Sequence, residues 1–199
     1  MVRTVARVAP PDTAAERHMR LRRRRVRLGV VSDTHGAVDP RLAEAIEDCD
    51  AVVHAGDIGD ARVLAALARR DRPVIAVRGN NDSPVQWPRG QARAVNALPF
   101  MVSIALPGGT LVVVHGDRVK PAARRHSLLR RLYPHARAVV YGHSHRLAVD
   151  QSESPWVLNP GAAGAVRTYG GPSCLVLKAI AAGWHVDILR FPPARHGRA

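Results

Sequence analysis

The stretch Val30-Val31-Ser32-Asp33-Thr34-His35-Gly36 decides how the rest of the chain is read. An apolar run from Arg27 to Val31 breaks off at Ser-Asp-Thr-His-Gly. A buried parallel strand has this form when it delivers polar side chains at its carboxyl end. Ligands of open α/β sheets bind at such ends. Asp33 and His35 are separated by one residue, and a carboxylate oxygen beside an imidazole nitrogen suits a borderline divalent cation. An Asp-x-His pair alone is also an ordinary turn, so its meaning depends on what the other strand ends carry.

Outward from this stretch the chain alternates strand and helix. Asp39 caps a helix over Pro40–Cys49, with Pro40 in its first turn and Leu42, Ala45, Ile46 and Cys49 as its apolar stripe. Ala51–His54 is a short strand running into Ala-Gly-Asp57. Asp60 caps a helix over Ala61–Arg70, and Pro73–Val77 is a strand ending in Gly79-Asn80-Asn81-Asp82. Three strands thus close on a Gly or Asp cluster, as βαβ units require. Residues 83–99, with three prolines, read as a loop or lid in which Trp87 either stacks on a substrate base or, as a lone tryptophan more often does, plugs the loop to the core. Phe100–Leu106 and Thr110–His115 flank Pro-Gly-Gly as a hairpin. A basic helix follows over Pro121–Leu132, then a strand over Ala138–Tyr141 that ends in Gly142-His143-Ser144-His145. Trp156–Leu158, Ser173–Leu177 and Trp184–Leu189 read as a closing antiparallel set.

The 199 residues suffice for one domain with a sizeable core, which 46% apolar and 4% aromatic residues leave to Val, Leu, Ile and Ala. Cys49 and Cys174 cannot form a disulfide framework and fit a reducing compartment as small core residues. No apolar run reaches membrane-spanning length, and the arginine-rich start lacks the apolar segment of a secretory signal, so a cytoplasmic protein is expected. The net charge of +14 is uneven: residues 1–27 hold nine arginines against Asp12 and Glu16. Residues 1–26 read as a basic, disordered arm that either meets nucleic acid or another polyanion or is simply solvated, since no aromatics are interleaved for stacking. Residues 27–191 form the domain and 192–199 a frayed tail. Arginine outnumbers lysine 28 to 2, so codon bias can inflate the charge without any partner.

Collected, the polar strand ends supply Asp33, His35, Asp57, Asn80, His115, His143 and His145. Two coordination shells follow if Asp57 bridges them: Asp33, His35 and His145 in one, Asn80, His115 and His143 in the other. Nitrogen and oxygen donors without thiolate suit two divalent ions, Mn²⁺ foremost, with Fe, Co, Ni or Zn²⁺ as alternatives. Such a pair lowers the pKa of a shared water to about 7 and clamps both oxygens of an in-line displacement at phosphorus.

Asp33-x-His35, Gly56-Asp57, Gly79-Asn80, His115 and Gly142-His143-x-His145, in this order, resemble the calcineurin-like metallophosphoesterases. Asn159-Pro160-Gly161 and the short length are most similar to their small bacterial and archaeal phosphodiesterase branch. The resemblance spans residues 27–191. It implies an α/β fold, a four-layer αββα sandwich of two mixed sheets flanked by helices. It also implies a dinuclear site bridged by Asp57, and hydrolysis of phosphodiesters or phosphomonoesters by a metal-bridging hydroxide. Three positions depart from the pattern. Asn81 stands where many members have a histidine that protonates the leaving group or steadies the phosphate; it can donate a hydrogen bond to phosphate but cannot act as a general acid. Asp117 replaces the second histidine of a His-Gly-His, and Ala162 replaces a serine. Activated or cyclic diesters are therefore the favoured substrates. His54 is either a ligand-orienting or a satisfied core histidine. Arg118, Lys120, Arg124 and Arg125 are candidates for attracting an anion, and Arg167 for touching a phosphate. The alternatives are a protein-binding scaffold of the same fold, as in the retromer subunit, or a nuclease using the arginine arm. Family members can be homo-oligomers, and no stripe here marks an interface.

Overall fold

Near-continuous apolar runs, which put apolar side chains on both faces of most strands, require cover on two sides. The computed structural model describes residues 16–69, 72–165 and 167–193, and within them that demand is met by four layers. One sheet holds β2 (Arg25–Val31), β3 (Ala51–His54), β4 (Val74–Ala76), β10 (Ser173–Ile180) and β11 (Gly183–Arg190), in the order β11-β10-β2-β3-β4. The other holds β1 (Glu16–Arg20), β5 (Met101–Leu106), β6 (Gly109–Val114), β7 (Ala138–Val140), β8 (Ala148–Asp150) and β9 (Trp156–Asn159), in the order β1-β5-β6-β7-β9-β8.

Val26, Leu28 and Val30 of β2 meet Val102, Ile104, Leu111, Val113 and Leu158 between the sheets. The opposite faces carry the helices. Val52 and Val176 pack under α1 (Pro40–Ala45) and α2 (Ala61–Leu67), while Val112, Val114 and Val139 pack under α4 (Arg125–Leu132). This is the expected αββα sandwich. Asp39 and Asp60 cap α1 and α2 through Arg41 N at 3.0 Å and Arg62 N at 2.8 Å. Both helices are shorter than the apolar stripe suggested. The chain beyond Ala45 leaves helical geometry, yet Ile46 and Cys49 stay buried.

β2, β3 and β4 are parallel, as are β6, β7 and β9, so their carboxyl ends share one rim. Three assignments change. Trp156–Asn159 does not close a set with β10 and β11; it pairs parallel to β7 in the other sheet. Residues 83–99 contain a short helix, α3 (Ala92–Asn96), and Trp87 is indeed a plug, 3% exposed. Part of the basic arm is strand: Glu16–Arg20 pairs parallel with β5, and Met19 and Leu21 pack on the inter-sheet core. Two apolar residues among seven arginines hid that edge from a periodicity reading. Cutting the chain at residue 26 would remove an edge strand, so a test of the arm must stop before Glu16; residues 1–15 and 194–199 lie outside the described residues.

Edge strand β8 is tied down by charge. Asp150 accepts from His126 Nδ1 and Ser152 Oγ, each at 2.7 Å, and pairs with Arg130 of α4 at 2.7 Å. Arg130 first, then Ser152 and His126, hold its carboxyl well below the usual carboxylate range. Asp150→Ala is expected to lower the unfolding free energy at pH 7 by about 1–3 kcal/mol, measured by urea denaturation. Because the folded pKa is depressed, the advantage of the wild type is complete above the ordinary carboxylate pKa of about 4 and shrinks as pH falls toward the folded value. A difference that persists unchanged in acid would contradict this.

Candidate metal centre

The rim gathers all seven sequence-derived candidate ligands onto five interlaced loops, those after β2, β3, β4, β6 and β7. The loops after β2 and β3 are zipped by Asp33 N to Gly56 O at 3.0 Å, His35 N to Asp57 O at 3.0 Å and Gly36 N to Ile58 O at 2.7 Å. The loops after β6 and β7 join through Gly142 N to His115 O at 3.0 Å, and His143 N reaches Asp33 Oδ1 at 3.2 Å. Close approach of these backbones needs glycine. A Cβ on Gly79 would run into Asp57 Oδ1 and N, and one on Gly142 into Ser32 Oγ.

The backbone is bent to aim the side chains. Asp33, His35, Asp57, His143 and His145 all sit at left-handed φ, between 46° and 65°. Asp and His tolerate this region better than most residues, and such strain concentrates at functional sites. Arg167, at 54°, is the other non-glycine residue of this kind among those described.

Two groups of donors result, one on each side of Asp57. Asp33, His35, Asp57 and His145 each offer a ligand atom, all within 4.8 Å of one another. His35 Nε2 and His145 Nε2 face each other at 3.1 Å, and His35 Nε2 is 3.8 Å from Asp57 Oδ2. On the other side His115 Nε2 lies 3.3 Å from Asp57 Oδ1 and 3.1 Å from Asn80 Oδ1, and His143 Nδ1 lies 2.9 Å from Asn80 Oδ1. The two oxygens of one carboxylate therefore face different donor groups.

Electrostatics follow from this crowding. Burial, with the Asp57 charge adding to it, pushes the Asp33 carboxyl up to about 7 against the opposing pull of His115 and Ser32. For Asp57, burial acts upward but is outweighed by His115 and the Asn81 amides, so its carboxyl lies well below the usual range. Burial would lower His115, yet Asp57 and then Asp33 hold it up at about 9. Burial, helped by Arg167 and His35, takes His145 down to about 4, and burial also lowers His35 and His143. Neutral imidazoles keep a lone pair free to ligate. Asp33 Oδ2 and His145 Nδ1 are buried without a hydrogen-bond partner among the described residues. Orphaned buried polar atoms are rare, and an ion is one of the few things that would satisfy a carboxylate oxygen here. The donor set fits one or more divalent cations.

Several neighbours act through these residues. Asn81 donates its backbone N–H to Asp57 Oδ1 at 2.8 Å and its amide to Asp57 Oδ2 at 2.7 Å, so it braces that carboxylate rather than standing open to solvent. His54, fully buried, meets Thr34 Oγ1 at 2.9 Å and accepts from Gly56 N at 3.2 Å; it is a satisfied core histidine that also steadies two ligand loops. Arg118 is spent on the ring of Phe100 at 3.8 Å, and Arg125 is buried over Tyr141. Periodicity gave no sign of three others. Asp82 accepts from Ile58 N, Gly59 N, Gly79 N and Trp87 Nε1 at 2.8–3.0 Å. Asn159 donates to Gly142 O at 2.9 Å and Ser144 Oγ at 3.0 Å. His126 joins Asp150 to the Tyr141 hydroxyl, 2.9 Å from Nε2, just before the histidine loop. For Asp82 and Asn159 the available signal was adjacency to a Gly-Asn or Asn-Pro-Gly turn.

Comparison with known proteins places the fold in a family. The calcineurin-like phosphoesterase superfamily domain matches residues 26–181. A phosphodiesterase of Methanocaldococcus jannaschii is 25% identical over 145 residues, 68% of this chain and 83% of that protein. Among solved structures, a conserved Streptococcus pneumoniae protein predicted to be a phosphoesterase superposes with a TM-score of 0.57 at 22% identity, over 83% of this chain and 90% of that one. Vacuolar protein sorting 29 of Cryptosporidium parvum gives a TM-score of 0.63 at 18% identity, over 85% of this chain and 100% of that one.

Proposed function

This chain belongs to the calcineurin-like phosphoesterase superfamily, and from that premise we propose that it is a dinuclear metal-dependent phosphoesterase that cleaves phosphodiesters. The observation that carries the reading is the two-sided Asp57: Oδ1 toward His115 at 3.3 Å, Oδ2 toward His35 at 3.8 Å. Asp33, His35 and His145 would hold one cation, Asn80, His115 and His143 the other, with Asp57 shared between them. Divalent ions held there would supply Lewis acidity at the phosphoryl oxygens and acidify a water. Mn²⁺ suits the mixed oxygen and nitrogen donors, as do Fe, Co, Ni and Zn²⁺.

The chain's own residues orient and exclude. Asn81 fixes the Asp57 carboxylate through one amide hydrogen and keeps the other for a phosphate oxygen. It has no acidic proton to give a leaving group, so esters whose leaving group departs as a stable anion, or cyclic diesters, are the better substrates. The intact donor set favours an enzyme over a protein-binding scaffold of the same fold. Cys49 and Cys174 are free and buried, in keeping with a cytoplasmic location, and no described helix is long and apolar enough to cross a membrane. Hydrolysis of an activated aryl phosphodiester with added Mn²⁺ is the expected result. Absence of turnover with every first-row divalent metal would defeat the proposal.

A further inference from the structure

The guanidinium of Arg167 donates to His35 Nε2 at 3.0 Å, reaching the mouth of the metal centre from a chain segment that supplies none of the ligands. That segment is held at both ends. Ahead of it Ala163 N bonds Ser32 O at 2.9 Å, and a Cβ on Gly164 would press on Thr34 O at 2.5 Å, so its base is seated on the first ligand loop. Behind it Gly171 N bonds Thr168 O at 2.6 Å and Phe191 N bonds Pro172 O at 2.9 Å. Two residues beyond Arg167, Tyr169 is 55% exposed, an unusual position for a large ring. The guanidinium of Arg146, next in sequence to His145, lies over one face at 4.6 Å from the ring centre. A tyrosine backed by a cation and open on its other side is a stacking platform.

We propose that Arg167–Gly171 is the substrate-recognition loop, with Arg167 taking a non-bridging phosphate oxygen and Tyr169 stacking on an aromatic ring carried by one of the two ester groups, as in a nucleotide-type diester. This rests on the phosphodiesterase reading and narrows its substrate class. Once a cation occupies the lone pair of His35 Nε2, the Arg167 donors have no acceptor there, and a phosphate oxygen beside the cation provides one. The spacing is apt: two residues of chain place Tyr169 at most about 7 Å from Arg167 between Cα atoms, so one ligand spans both.

The test uses two diesters with the same p-nitrophenyl leaving group, one carrying a nucleoside and the other a methyl group. In the full-length enzyme with Mn²⁺, kcat/KM is expected to favour the nucleoside ester by about tenfold, the order of one stacked base. Tyr169→Ala brings the ratio near one, and Tyr169→Phe keeps it. Arg167→Ala raises KM for both esters, and Arg167→Lys recovers part of the loss. A wild-type ratio near one, or a ratio that survives Tyr169→Ala, overturns the inference while leaving the phosphodiesterase reading intact. No turnover of either ester with any metal defeats that reading instead. The loop is then judged by calorimetric binding of a nucleoside 5′-monophosphate against ribose 5-phosphate. Preference for the nucleotide that disappears in Tyr169→Ala supports the platform, and equal binding of the two refutes it.

Discussion

Asp57→Ala is expected to leave a folded protein that retains neither cation after dialysis and has lost activity on the order of 10³-fold or more. The magnitude follows from what one carboxylate does. Its two oxygens face two donor groups, and it also receives both Asn81 donors, so its removal withdraws a shared negative charge and the brace between the β3 and β4 loops. Either remaining group would consist of two imidazoles and a single oxygen donor. Metal content by mass spectrometry together with turnover of an aryl diester provides the check. Two equivalents retained would contradict the bridge, and one equivalent would assign Asp57 to a single cation.

Asp82→Ala is expected to be the most destabilising replacement outside the hydrophobic layers, costing roughly 3–4 kcal/mol. This carboxylate, 1% exposed, accepts from three backbone N–H groups and from the indole of Trp87. Truncation leaves four donors unpaired, those of Ile58, Gly79 and Trp87 buried and that of Gly59 partly so. It also cuts the link between the Asp57 loop and the Asn80 loop, so metal affinity falls with stability. Asp82→Asn keeps one oxygen for Ile58, Gly59 and Trp87 and recovers much of the loss. Chemical denaturation of the two variants measures this, and an alanine variant within 1 kcal/mol of wild type, at the low edge of the cost of one unsatisfied group, would refute it.

These predictions differ in how far they were visible in the chain. Asp57 stood out because an apolar strand ended on Gly-Asp, and the carboxyl ends of strands are where open α/β sheets present polar side chains to a ligand. Asp82 did not, although it follows Asn81 directly, because a carboxylate in a loop looks the same whether it caps backbone amides or faces solvent. The same ambiguity hid the Asp150 clamp, whose partners His126 and Arg130 lie about twenty residues away. Glu16–Arg20 was hidden for another reason: an edge strand buries only one side, and here that side amounts to Met19 and Leu21.

The chain alone determined the strand–helix alternation and the candidate donors, since strand periodicity and the chemistry at strand ends are local properties, and the family those motifs resemble implied the sandwich. Which oxygen of Asp57 faces which histidines, that Asn81 braces this carboxylate, and that Arg167 reaches His35 were decided only by tertiary structure. Each depends on loops dozens of residues apart meeting at one rim with side chains aimed by left-handed backbone turns. Such angles are set by the packing of the whole sandwich and leave no trace in the spacing of residues.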